Sequence, residues 1–174
     1  RSDLGARLAC KRLFRQIAGD DRITPAVDIT TVGPDPVRPC IPRHPGTSPC
    51  ACSVSHDRRF AVAVAGPASQ PIGVDVEIMS PRVLKSQHLF MHPAELDRVR
   101  RSELGEIQAA LRIWSIKESV AKCLNICLAD AWQQTEVLDI GLLQSRLRMH
   151  SGKTAAAVHE SVDEHLFTLI CGWG

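Results

Sequence analysis

Apolar residues recur at roughly helical spacing between residues 4 and 17 (LGARLACKRLFRQI). Leu4, Leu8, Leu13 and Ile17 mark one face, and Arg7, Lys11, Arg12 and Arg15 keep the helix basic. Short alternating or apolar runs predict strands at 28–32, 52–54, 60–65 and 72–78, with a tight SHDRR turn joining the second and third. Proline and glycine fill 34–49, which reads as a long ordered loop, and 66–71 reads as a second loop. Short helices are expected at 86–90 and at 93–101, the latter opened by Pro93. The longest helical pattern is 106–125, and strands at 137–140, 145–150 and 166–173 close the list. Strands and helices do not alternate regularly, so the expected class is α+β.

Residues 106–125 carry two apolar stripes. One is Ile107, Ala110, Leu111, Trp114, Ala121 and Leu124; the other is Ile113, Ile116 and Val120, continued by Ile126. A helix striped on two sides is covered on two sides. The first stripe should continue at 117 and 118, but Lys117 and Glu118 stand there. Two charges in a core-facing stripe are costly unless they meet partners or line a cleft.

Composition is that of an ordinary globular chain: 174 residues, 44% hydrophobic, 23% charged. No apolar run is long enough to span a membrane. A net charge of +2 argues against nucleic acid and leaves room for a local basic patch facing a phosphorylated ligand. Seven cysteines in no regular framework are expected as reduced thiols in a cytoplasmic protein. Cys50 and Cys52 near His56 lack a second ligand pair, which argues against zinc, and Cys123 and Cys127 are expected as small buried side chains.

In GVDVE (73–77), strand alternation sends Val74, Val76 and Ile78 to one face and Gly73, Asp75 and Glu77 to the other. The two carboxylates then start from Cα atoms roughly 6.5–7 Å apart. They repel unless a cation or a proton intervenes, and all-oxygen ligands of this kind suit Mg²⁺. Taken alone, the segment also fits a solvated strand face. Lys122 lies one turn after Glu118, which alone also fits a surface pair. In the turn after 52–54, Ser55 and His56 offer a hydroxyl and an imidazole to a phosphate, and Arg7, Lys11 and Arg38 add positive charge.

The order of these features resembles the 4′-phosphopantetheinyl transferases. The matching stretches are VRPCIP (37–42), SVSH (53–56), GVDVE (73–77), FMHPAE (90–95) and WSIKESVAK (114–122). GVDVE together with WxxKESxxK carries most of the specificity. Residues 1–72 precede the GVD motif, so the chain looks like the larger, pseudo-dimeric type: a monomer of two similar α+β halves, 1–71 and 72–174, related by a pseudo-twofold axis. Its opening, LGARLACKRLFR, resembles the first helix of transferases built into polyketide-type synthases.

The resemblance implies Mg²⁺-dependent transfer of the phosphopantetheine arm of coenzyme A to a serine of an acyl or peptidyl carrier protein, releasing adenosine 3′,5′-bisphosphate. Asp75, Glu77 and Glu118 are implied as metal ligands, with Glu118 also the general base. Asp75, Glu118 and Lys122 are implied as the catalytic set. Arg7, Lys11, Arg38, Ser55, His56, Lys117 and Lys122 are implied on the coenzyme A side, and Glu95 arranges the site by pairing with Lys117 or Lys122. The chain departs from the family where glycines usually follow the last lysine; it has Leu124-Asn-Ile-Cys-Leu128 instead. Two other readings use the same residues: a metal-dependent phosphodiesterase or nuclease, and a coenzyme A or carrier-binding module without turnover.

Overall fold

The structure, a computed structural model, describes residues 2–18 and 50–174. The expected strand at 28–32, the loop at 34–49 and Arg38 lie outside the described residues. The elements run α1 (Ser2–Ala18), β1 (Cys50–His56), β2 (Ala61–Pro67), β3 (Ile72–Ile78), α2 (Arg82–Phe90), α3 (Pro93–Arg100), α4 (Glu106–Leu124), α5 (Leu128–Gln134), β4 (Thr135–Asp139), β5 (Gln144–Met149), β6 (Thr154–Val162) and β7 (His165–Cys171). The class is α+β.

β1 and β2 form an antiparallel hairpin with His56 opposite Ala61. The other strands form a five-stranded sheet in the order β3-β7-β6-β5-β4. That order leaves β3 at an edge, with one row of backbone N–H groups unpaired by the sheet. β1 supplies the partners through side chains. Ser53 Oγ accepts from Val74 N–H at 3.0 Å, and Ser55 Oγ accepts from Val76 N–H at 3.2 Å. The spacing explains itself: residues two apart on β1 share a face, as do N–H groups two apart on β3.

α4 lies across the sheet and carries the centre of the core: Ile113, Ile116, Val120 and Cys123 are fully buried, with Val137, Leu147, Leu166 and Ile170 from the strands. Gly73 lets β3 and α4 meet. A Cβ at this position would lie 2.0 Å from the carbonyl oxygen of Ser119 and 2.9 Å from Cys123 Cβ. Gly73→Ala is therefore expected to lower unfolding free energy by about 1–3 kcal/mol, as over-packing does, read as a lower urea midpoint at unchanged slope. A midpoint equal to wild type would contradict the close approach.

Several expectations are corrected. α1 docks through Cys10 and Phe14, while Leu4, Leu8 and Ile17 are 63%, 50% and 44% exposed. Cys10 and Phe14 mark the buried face, and a Cβ added at Gly5 would lie 3.5 Å from the Cβ of Ala61 on β2. Ile78, at the end of β3, is exposed rather than in the core. α5 and β6 were not expected from the sequence. Cys123 is buried, but Cys127 is exposed and caps α5, accepting from Asp130 N–H. After α4, Asn125 takes the left-handed conformation (φ 56°) and its N–H bonds Ala121 O. Asparagine tolerates this region, so the helix stops without the family's glycine.

Candidate active site

β3 and α4 face each other, and the charged residues of the two sequence segments meet between them. Asp75 is 2% exposed. Its Oδ1 accepts from Lys122 Nζ at 2.7 Å and from Ser55 Oγ at 3.0 Å; its Oδ2 accepts from Ser115 Oγ at 2.8 Å. Ser55 uses its whole hydrogen-bonding capacity: it donates to Asp75 and accepts from Val76 N–H and from Lys122 Nζ, the latter at 2.9 Å. On α4, Ser115, Glu118 and Lys122 follow at i, i+3 and i+7, one face of a helix. Glu77 accepts from the indole N–H of Trp114 at 2.9 Å.

The electrostatics show three carboxylates around one ammonium. Glu118 is pushed up to about 7, first by burial and then by the charge of Asp75; Lys122 opposes this and Glu77 adds to it. Glu77 is also raised, chiefly by burial. The Trp114 hydrogen bond pulls the other way, Asp75 and Asp57 push it up, and Lys122 partly offsets them. Such a site has acceptor oxygens to spare and too little positive charge. Asp75 accepts three hydrogen bonds among the described residues, and a carboxylate offers about four acceptor positions. The donor set suits a hard divalent cation. Among the described residues, no three carboxylate, imidazole or thiol groups close on a common point. Oxygens of a phosphorylated ligand and water would have to complete such a shell.

A cleft of about 270 Å³ opens beside the group, lined by Glu77, Ile78, Ser80, Arg82, Val83, Ser86, Leu111 and Trp114. The larger cleft, about 690 Å³ between α3 and the β4–β5 connection, contains none of the predicted residues.

A family model described as the 4′-phosphopantetheinyl transferase superfamily matches residues 71–170, which hold β3, α4 and every carboxylate of the cluster. The chain belongs to the 4′-phosphopantetheinyl transferase superfamily. No curated protein matches it at a significant level. Members of this superfamily are transferases that use coenzyme A, typically with a divalent metal, and act on carrier proteins. No described helix is long and apolar enough to cross a membrane.

Within that family frame, the predicted residues fall into three sets. Asp75, Glu77, Glu118, Lys122 and Ser55 come together. His56 sits half-buried at the end of β1, next to this group in sequence, and Arg7 and Lys11 lie on α1 against the hairpin; none of the three shares in the hydrogen bonds around Asp75. Lys117 is corrected. It is fully buried and points to the opposite side of α4, where Nζ donates to Glu95 Oε2 at 2.7 Å and to the carbonyls of Phe90 and Trp132. A side chain with no exposed surface does not reach coenzyme A, so Lys117 is a core cation. Glu95 pairs with Lys117, one of the two lysines expected for it. Ser53, Ser115 and Trp114 lie within the SVSH and WSIKESVAK motifs, but sequence reasoning assigned none of them a role in the site. The S-x-S spacing on β1 and the i, i+3, i+7 row of Ser115, Glu118 and Lys122 were the available signals.

Proposed function

We propose that this chain transfers the phosphopantetheine arm of coenzyme A to a serine of an acyl or peptidyl carrier protein, in a Mg²⁺-dependent reaction. The observation that supports this most is the meeting of Asp75, Glu77, Glu118 and Lys122 from the two motif segments, inside the family-matched region. In this reading Asp75 and Glu118 hold the metal, with Glu77 beside them. Magnesium, when bound, supplies charge neutralisation at the coenzyme A pyrophosphate.

The chain's own residues do the rest. Glu118 takes the proton of the incoming serine hydroxyl, directly or through water. Without metal its pKa is raised to about 7; a bound cation would lower it and keep the carboxylate ionised, ready to accept a proton. The serine oxygen bonds to the phosphorus that bears pantetheine, and the bond from that phosphorus to the adenosine-bearing phosphate breaks. Lys122, with 28% of its side chain exposed, has the freedom to trade part of its contact with Asp75 for an oxygen of the departing phosphate. The cleft beside Glu77 and Trp114, walled by Ile78, Val83 and Leu111, suits the pantetheine arm. His56, Arg38, Arg7 and Lys11 would meet the 3′-phosphate and adenine end. The pseudo-dimeric plan, with halves 1–71 and 72–174 in one monomer, belongs to this proposal, as does a place inside or beside a polyketide-type synthase.

The test is product formation from coenzyme A, Mg²⁺ and an apo carrier protein. Adenosine 3′,5′-bisphosphate is expected in one-to-one ratio with carrier modified, and none is expected when the carrier is left out. Release without carrier would instead mark a phosphodiesterase.

A further inference from the structure

β1 is tied to β3 by Ser53 and Ser55, but a strand pinned on one side of His56 can still pivot there. The structure contains a second tie on the other side. Asp57 closes its own turn: Oδ1 accepts from the N–H groups of Arg59 and Phe60, both at 2.7 Å. Its Oδ2 lies 2.6 Å from Nε2 of His165, the first residue of β7, whose side chain is 5% exposed. Phe60 sets its ring edge-on against His165, with centroids 4.8 Å apart, and against Phe167 at 5.3 Å. Burial would raise the Asp57 carboxyl, but the N–H groups of Phe60 and Arg59, together with His165, hold it below its ordinary range. Asp57 is thus kept as a charged acceptor. Arg59 also meets Asp163 at 2.5 Å, but both side chains are more than half exposed and such pairs contribute little. The β6–β7 turn is fixed in its own right, because Met79 N–H donates to Glu164 O at 2.6 Å just past the end of β3.

We propose that Asp57, Phe60 and His165 form a clamp that holds the SVSH end of β1 at a set distance from Asp75, making His165 a positioning residue for coenzyme A binding. His165 acts through Asp57 and touches no substrate. The proposal rests on the reading that coenzyme A is the substrate. It goes beyond that reading by giving a role to residues outside the motif segments, on both sides of the boundary near residue 71. With the clamp open, His56 moves relative to the metal-side carboxylates, and the two ends of coenzyme A are no longer met together. The chemical step, carried by β3 and α4, stays intact.

The test compares His165→Leu, His165→Gln and Phe60→Leu with the wild type in steady-state transfer, varying coenzyme A. His165→Leu is expected to raise KM for coenzyme A about tenfold with kcat within about twofold, the pattern of lost binding without lost chemistry. His165→Gln keeps a donor near the Nε2 position and is expected to return KM to within about threefold of wild type. Phe60→Leu removes only ring contacts at a half-buried position and keeps the question answerable if His165→Leu does not fold; its expected KM rise is about threefold. An active wild type whose Phe60→Leu and folded His165 variants keep its KM overturns the clamp alone, as does a loss confined to kcat. A wild type that transfers no arm overturns the functional reading and the clamp with it.

Discussion

Asp75→Asn and Glu118→Gln are each expected to lower kcat/KM for arm transfer by at least about 10³-fold while the chain stays folded, since each removes a charge that the metal and the developing phosphate charge depend on. Asparagine is the same size as aspartate, and its oxygen can still accept from Lys122 and Ser55, so the β1–β3–α4 contact survives. What disappears is the negative charge. Its removal has a second, signed consequence. The charge of Asp75 helps to hold Glu118 up near 7, so Glu118 in Asp75→Asn should ionise at lower pH than in the wild type. Activity in the variants, measured with saturating Mg²⁺ and coenzyme A, checks the first effect; titration of Glu118 by NMR without metal checks the second. Retention of more than a tenth of wild-type activity in either variant would remove these carboxylates from the reaction.

The second large effect concerns stability. Lys117→Met is expected to cost about 3–5 kcal/mol, the range for breaking a buried ion pair by removing one partner. Lys117 and Glu95 both have 0% exposed side chains. Burial pulls the lysine below its ordinary pKa, and Glu95 pulls it back up. Without the ammonium, Glu95 would be left as a buried carboxylate still accepting from the N–H groups of His92 and Val137, at 2.8 and 2.7 Å. Glu95→Gln in the Lys117→Met background should recover part of the loss, because it sheds the buried charge; recovery stays incomplete because its NH2 faces one of the two N–H donors that the carboxylate accepted. Urea denaturation of the single and double variants measures this. A single variant within about 1 kcal/mol of wild type would contradict a structural role for Lys117.

These two predictions come from neighbouring residues, and that says much about how far the sequence could be read. The break in the apolar stripe at 117 and 118 was a valid signal that both charges have business inside the protein. It could not say that they have different business. Successive residues on a helix point about 100° apart, so Lys117 turns to Glu95 under α3 while Glu118 turns to Asp75 on β3. Arg112 is an equally anomalous charge in the same helix, fully buried and donating to Leu142 O at 3.1 Å, yet no motif drew attention to it.

β3 was legible to the residue, because alternation and the preceding Pro71 mark it. β6 was not. Its buried face is made of Ala157 and His159, residues with little strand character, and pairing with β5 and β7 overrides that local preference. α5 is a single short segment whose cap is a cysteine, outside the usual capping residues. The face of α1 was misread because leucines were weighted above Cys10 and Phe14, the residues buried where α1 meets the hairpin. In the site, spacing put Asp75 and Glu77 on one strand face, and the family resemblance implied that Glu118 joins them. Of the serines that join β1 to β3, Ser55 was named for a phosphate but neither it nor Ser53 for this tie, because their partners are backbone N–H groups of an edge strand that the sequence does not announce.

The measurement that bears most directly on the central claim is the intact mass of an apo carrier protein incubated with this chain, coenzyme A and Mg²⁺. A gain of one phosphopantetheine on one serine is expected, abolished by chelating the metal and by Glu118→Gln. Unchanged mass across several acyl and peptidyl carrier proteins, with the chain shown to be folded, would contradict it.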